Sequence, residues 1–211
     1  MRKGKFIVFE GINGSGQQVK AGIVALHKAL AELKYDVVEC ANPDSGRSKE
    51  LGLETMLNWP FGKNMRADFI FECAVRTEIF SNVVAPALEQ DKIVLCKQSS
   101  ISSLANAWVS GKTKNLDVLR HLDKISRGFL YNEEIFPDLT IFMDMPAEEA
   151  FERIEDVMQI HHEGGIDYYN QKREFYLKEI PRWRGVRVDA SASRAQEDIN
   201  AEVMALVQAL L

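Results

Sequence analysis

Three cysteines and four histidines are all that 211 residues contain, and neither type is arranged to hold a metal. Cys40, Cys73 and Cys96 are odd in number, widely spaced and set in hydrophobic contexts. That spacing has no metal-ligand pattern and argues for buried thiols in a reducing, cytoplasmic setting. His161 and His162 are neighbours, so they point to different sides of any regular element and read as a solvated loop. Long apolar runs are missing too, and nothing is extended enough to span a bilayer. The apolar part of the N-terminus, after Met1-Arg2-Lys3-Gly4-Lys5, is too short for a signal peptide. Positive charge is not in excess: 26 basic residues against 31 acidic ones give −5. No global basic field points to nucleic acid.

What is present alternates. Short β-branched runs, Lys5–Glu10, Asp36–Cys40, Lys92–Cys96, Asp138–Asp144 and Gly185–Asp189, are separated by helical patterns. This is the signature of βαβ units around a parallel sheet. Val19, Ile23, Leu26, Leu30 and Leu33 recur at three-to-four spacing and predict a helix with one face on that sheet. Ile199, Val203, Leu206 and Leu210 predict a C-terminal helix, with Ser193 and Gln196 as its capping box. Pro146, directly after the fourth run, suits a first helical turn. No repeat, low-complexity segment or linker appears, so residues 1–211 are expected to form one domain. The least regular stretches are Asn42–Lys49, Asn58–Asn64 and Gln159–Asp167. The first and third fall near carboxyl ends of strands, where open parallel sheets bind ligands. Functional loops and solvated connections both stay open there.

The first strand runs directly into Gly11-Ile12-Asn13-Gly14-Ser15-Gly16-Gln17-Gln18 and then into a helix. The glycines match G-x-x-x-x-G-K-[ST], the phosphate-binding P-loop pattern. Such a loop turns successive backbone N–H groups inward at a helix N-terminus, making a nest for an anion. The dinucleotide pattern G-x-G-x-x-G is not matched. Gln17 stands where the motif has its lysine, and Gln18 where it has the metal-ligating hydroxyl. A neutral amide in place of a full charge costs on the order of 3–4 kcal/mol of transition-state stabilisation in a dry site. A glycine turn kept for its shape alone is therefore a strong alternative.

Several segments carry a resemblance. Lys5–Ile12 looks like the first strand and loop entry of the thymidylate kinases, and Arg76, in the helical run Phe69–Phe80, matches their monophosphate arginine. Pro86-Ala87-Leu88-Glu89 before Lys92–Cys96, Pro137–Asp144, Glu149–Ile154 and Val188-Asp189-Ala190-Ser191 are similar to later parts of the same family. The chain thus resembles thymidylate kinases over nearly its whole length. That resemblance implies a three-layer α/β P-loop nucleoside-monophosphate kinase fold, with a five-stranded parallel sheet flanked by helices. It places the first strand centrally, beside the third. It implies transfer of a phosphoryl group from ATP to dTMP, a step of dTTP biosynthesis. ATP would lie on Gly11, Asn13, Gly14, Ser15, Gly16, Gln17 and Gln18, with its adenine by Asp189 and Ala190. The monophosphate would lie by Glu10, Phe71, Arg76, Ser102 and Ser103. A lid is implied at residues 155–167, and dimerisation through helices around Asp68–Val84.

The departures from the family pattern fall on functional positions. Before Ser102-Ser103-Leu104-Ala105 the family has an aspartate that organises magnesium and an arginine for the substrate phosphate; here stand Lys97 and Gln98, followed by Ser99. The loop aspartate is Asn13. The element after the second strand survives only as Asn42-Pro43-Asp44-Ser45, with Arg47 displaced. Glu72 stands where an aromatic is expected to stack on thymine, with Phe71 about 100° round the helix. The lid-like segment has neither arginine nor lysine. No catalytic residue or metal site is intact on this reading, ATP binding is expected to be weak and magnesium binding impaired. The expectation is an inactive or barely active nucleotide-binding or assembly subunit, a homodimer or part of a larger assembly, with no nucleic acid or membrane partner. The alternative is an active dTMP kinase with relocated cations. Lys20, one turn beyond Gln17, and Lys97 are the candidates. Lys97 either contacts a metal-free anion or pairs with Glu10 or another nearby carboxylate and fills the pocket.

Overall fold

The structure is a computed structural model and describes residues 4–41, 65–110, 115–153 and 165–211. Five strands form a parallel sheet: β1 Lys5–Glu10, β2 Val37–Ala41, β3 Ile93–Lys97, β6 Leu139–Asp144 and β7 Gly185–Asp189. Their order is β2-β3-β1-β6-β7, with β1 central and beside β3. All pairings in it are parallel. The expected strands are all present, with ends shifted by one residue in several cases, the usual uncertainty of strand and helix ends.

Both faces of the sheet are covered, which is why its central strands are continuous apolar runs. Ile7 and Phe9 of β1 face Val19, Ile23 and Leu26 of α1 (Gly16–Glu32) and Ile199 and Val203 of α8 (Gln196–Gln208). Phe6 and Val8 point the other way, toward a layer that includes α2 (Met65–Ile79) and α3 (Ala85–Glu89). A wide π-helical turn, Phe80–Val84, joins those two helices just before Pro86. The same layer continues with α4 (Ser100–Val109), α5 (Leu116–Arg127) and α7 (Gly165–Glu179). A short helix, α6 (Ala147–Glu152), follows β6.

Several expectations are corrected. Leu33 is not on the buried stripe of α1; it lies past the helix end and is 53% exposed. The capping box of α8 does not form: Ala195 is the N-cap, and Ser193 bonds to the Ser191 hydroxyl instead. The buried face of α8 is Ile199, Val203 and Val207, with Leu206 and Leu210 only partly covered. Pro146 is the N-cap of α6 rather than a first-turn residue. An antiparallel hairpin, β4 Phe129–Leu130 with β5 Glu133–Glu134, has no counterpart in the sequence reading. Its turn residues Tyr131 and Asn132 both have positive φ, 53° and 65°. That geometry matches the strand twist, and Tyr is an unusual residue for it. Loops 42–49 and 58–64, and most of the lid-like segment, lie outside the described residues.

Candidate functional site

The glycine loop leaves the carboxyl end of β1 and closes on the N-terminus of α1. Ser15 donates its hydroxyl to the Ile12 carbonyl at 2.7 Å, pinning the turn. Gly14 has φ +93°, and a Cβ there would sit 2.2 Å from the Ala150 carbonyl oxygen of α6. Glycine at this position is required by both backbone conformation and close approach. Gly16 is different, since a Cβ there meets nothing within 4 Å. Open space therefore lies at the first residue of α1. Gln17 and Lys20 are exposed. The Gln18 side-chain oxygen is buried and has no hydrogen-bond partner.

Lys97 does not pair with Glu10. In the β1–β3 register Lys97 lies opposite Phe9, so the two share the sheet face covered by α1. Glu10 follows Phe9 and points to the other face. There its carboxylate is fully buried and accepts from the Ser99 N–H at 3.0 Å, the Ser102 hydroxyl at 2.5 Å and the Tyr176 hydroxyl at 3.3 Å. Burial raises its pKa above the ordinary carboxylate value, and the hydroxyl and amide donors offset part of that rise. Tyr176, on α7, is held flat against Phe142 with ring centroids 4.8 Å apart.

The cation at this loop comes from α7. Lys172 is 3% exposed and donates from Nζ to Asn13 Oδ1 of the loop at 2.5 Å and to Asn106 Oδ1 of α4 at 2.7 Å. Burial lowers its pKa from 10.5 to about 8, while Glu72 and Glu10 pull the other way. Glu72, on α2, is hydrogen-bonded to Ser103, and burial raises its pKa despite Arg76 and Lys172 nearby. Phe71 instead packs with the apolar layer under β1 and β3. Glu72, not Phe71, thus faces the polar site.

Arg76 is wholly buried. It donates to Asp123 Oδ1 at 2.9 Å, to Ser126 Oγ at 3.3 Å and to Ser103 Oγ at 2.5 Å. Asp123 also accepts from Arg127 Nε at 3.0 Å, and Arg127 pairs with Glu134 of the hairpin at 2.6 Å. The arginine read as a monophosphate contact is therefore tied into an ion chain joining α2, α5 and the hairpin. Gln98, with φ 60°, donates its N–H to the Phe9 carbonyl at 2.8 Å, locking the turn after β3.

The family model for thymidylate kinase matches residues 9–203. The chain belongs to the thymidylate kinase family. It is 31% identical over 215 residues to the thymidylate kinase of Pelotomaculum thermopropionicum, covering 99% of this chain and 95% of that protein. With the probable thymidylate kinase of Pyrococcus abyssi it shares 28% over 211 residues, 98% of this chain and 97% of the relative. The crystal structure of thymidylate kinase from Ehrlichia chaffeensis superposes with a TM-score of 0.69 at 21% identity, covering 97% and 99% of the two chains. The three-layer kinase fold is thereby shared.

Family kinases draw on magnesium, and hard cations take oxygen ligands, carboxylates above all. Among the described residues no group of three or more His, Cys, Asp or Glu could hold a metal ion. Glu10 is engaged by three donors. Asp144, at the end of β6, is engaged by Arg173 at 2.6 and 2.8 Å and by Arg187 at 2.6 Å. After β3 stands Lys97. The Gln18 oxygen is neutral and has no hydrogen-bond partner, whereas magnesium at a phosphate site usually draws on one or two side-chain oxygens together with waters and the phosphate itself.

On the expected adenine side, Ala190 is buried and donates its N–H to the Asp144 carbonyl at 2.7 Å. Asp189 is exposed, and the Ser191 N–H on its carboxylate holds its pKa below the usual value. Sequence reading missed Lys172, Asn106 and Tyr176. A signal existed, since buried Tyr169, Lys172, Tyr176 and Glu179 follow one helical stripe of α7. A lysine on a core-facing stripe marks a polar site. All three cysteines are buried and free, as expected. Among the described residues no helix is long and apolar enough to cross a membrane.

Proposed function

We propose that this chain, acting as one domain in the cytoplasm, binds a nucleotide phosphate weakly at residues 11–18 and carries little or no dTMP kinase activity. The observation that carries this reading is the donor set itself. The loop offers the neutral Gln17 and Gln18, the strand end offers Lys97 in place of a carboxylate, and Arg76 is held by Asp123. Phosphoryl transfer relies on positioning and on cations at the transferring group. Each missing charge contact costs several kcal/mol of barrier.

A coupled assay with ATP, magnesium and dTMP tests this directly. Turnover at or near background is expected, and about one per second or more, the ordinary enzymatic range, would reject it. Gln17→Lys alone is expected to restore nothing, because the metal position stays unfilled. One observation favours the second reading, an active dTMP kinase with a relocated cation: Lys172 stands at the loop. Lys20 is exposed and Lys97 shares a sheet face with Phe9, so both suit that role less well.

Dimerisation through the α2 region accompanies this reading. Ile70 of α2 and Val118 and Ile125 of α5 are exposed apolar side chains. A sedimentation experiment returning only monomer would remove it.

A further inference from the structure

A buried ammonium normally meets a carboxylate, because stripping water from an unpaired charge is costly. Lys172 does not: its two hydrogen bonds within the described residues go to neutral amide oxygens, of Asn13 and Asn106, and the centre of the Tyr168 ring lies 5.8 Å from Nζ. Glu10 and Glu72 act on it through charge alone, and among the described residues neither forms an ion pair with it. An ammonium has three donors, and two are engaged. One of its acceptors belongs to the glycine loop, whose backbone favours an anion, and Gly16 beside it faces open space.

We infer that Lys172 is the phosphate-binding cation of this chain, delivered to the loop from α7, and that it binds a phosphomonoester dianion there without a metal ion. This rests on the reading that a nucleotide phosphate occupies residues 11–18. The ligand completes the neutralisation that Asn13 and Asn106 leave undone, and the ammonium stands in for both the loop lysine and the divalent ion. An anion also draws the proton back onto Lys172, so binding above pH 8 is coupled to proton uptake. The charged groups acting on Lys172 are Glu10 from β1 and Glu72 from α2, the latter itself under the influence of Arg76. The Tyr168 ring lies beside it, and Tyr169 and Tyr176 share its buried stripe of α7. Burial pushes Tyr168 up to about 12 and raises Tyr169 and Tyr176. These tyrosines therefore stay protonated where Lys172 titrates.

Calorimetric titration of the full chain with inorganic phosphate and with dTMP, each with chelator and with magnesium, tests the assignment. Binding with either probe, unchanged by magnesium, is expected. Lys172→Met is expected to weaken it about tenfold or more, the worth of a charge-assisted hydrogen bond, with Lys172→Arg retaining part. Independently of any variant, titrations near pH 8.5 in two buffers of different ionisation enthalpy are expected to show proton uptake on binding. Wild-type-like affinity in a folded Lys172→Met protein would overturn the assignment. So would the absence of proton uptake, absence of binding to the wild type, or a tenfold tightening by magnesium. Kinase turnover is a separate readout: activity would sink the proposed loss of function while leaving the role of Lys172 to these titrations.

Discussion

Replacing Asp123 by asparagine should reveal what Arg76 is for. Asp123 is 0% exposed and holds two guanidinium groups, Arg76 at 2.9 Å and Arg127 at 3.0 Å. Removing one partner of a buried pair costs about 3–5 kcal/mol, because the remaining charge has lost both water and counterion. Asparagine keeps one oxygen acceptor, and Glu134 still reaches Arg127, so the lower end, about 3 kcal/mol, applies. Against a total stability of about 5–15 kcal/mol this is a large fraction. At about 2–4 °C per kcal/mol for a chain of this size, the melting point should fall by roughly 6–12 °C. Arg76→Met should cost somewhat less, since Asp123 keeps Arg127. The double variant should fall short of the sum by about 1 kcal/mol or more, as expected for side chains in one network. Urea unfolding followed by circular dichroism, with unchanged m-values, is the assay. A loss under about 1 kcal/mol for Asp123→Asn, or strict additivity, would refute the structural role and return Arg76 to the ligand.

Two further outcomes follow from the site. Lys172 has a folded-state pKa of about 8 against 10.5 unfolded. The unfolded chain therefore binds more protons between those values, and stability should rise with pH across that window, by up to about 3 kcal/mol. The rise should vanish in Lys172→Met, and a parallel pH profile for the two proteins would contradict it. At the loop, Gly14→Ala should destabilise by about 2 kcal/mol or more, through positive φ and the Ala150 clash. Gly16→Ala should be neutral or stabilising by up to about 1 kcal/mol, and thermal melts of both variants check this contrast.

The strands, the glycine loop and the stripe of α1 were legible in the sequence, because they rest on near-neighbour periodicity and glycine spacing, whereas the central place of β1 beside β3 came from the resemblance to thymidylate kinases. Those signals are local, and each of Val19, Ile23, Leu26 and Leu30 is buried where the pattern put it. The hairpin was not legible, since Tyr131-Asn132 has none of the glycine such a turn usually shows. The polar site was legible only in part. Sequence placed Glu10, Asn13, Ser102 and Ser103 at strand and helix ends but could not say which cation meets them. Lys172 lies 159 residues from Asn13, and only packing of α7 against α4 and α6 brings its ammonium there. Lys97 was excluded as the partner of Glu10 by strand parity together with the β1–β3 register, which puts it beside Phe9. Arg76 was assigned to Asp123 by the contact of α2 with α5. Which charge neutralises which is a property of distances across the chain, and only the tertiary structure decides it.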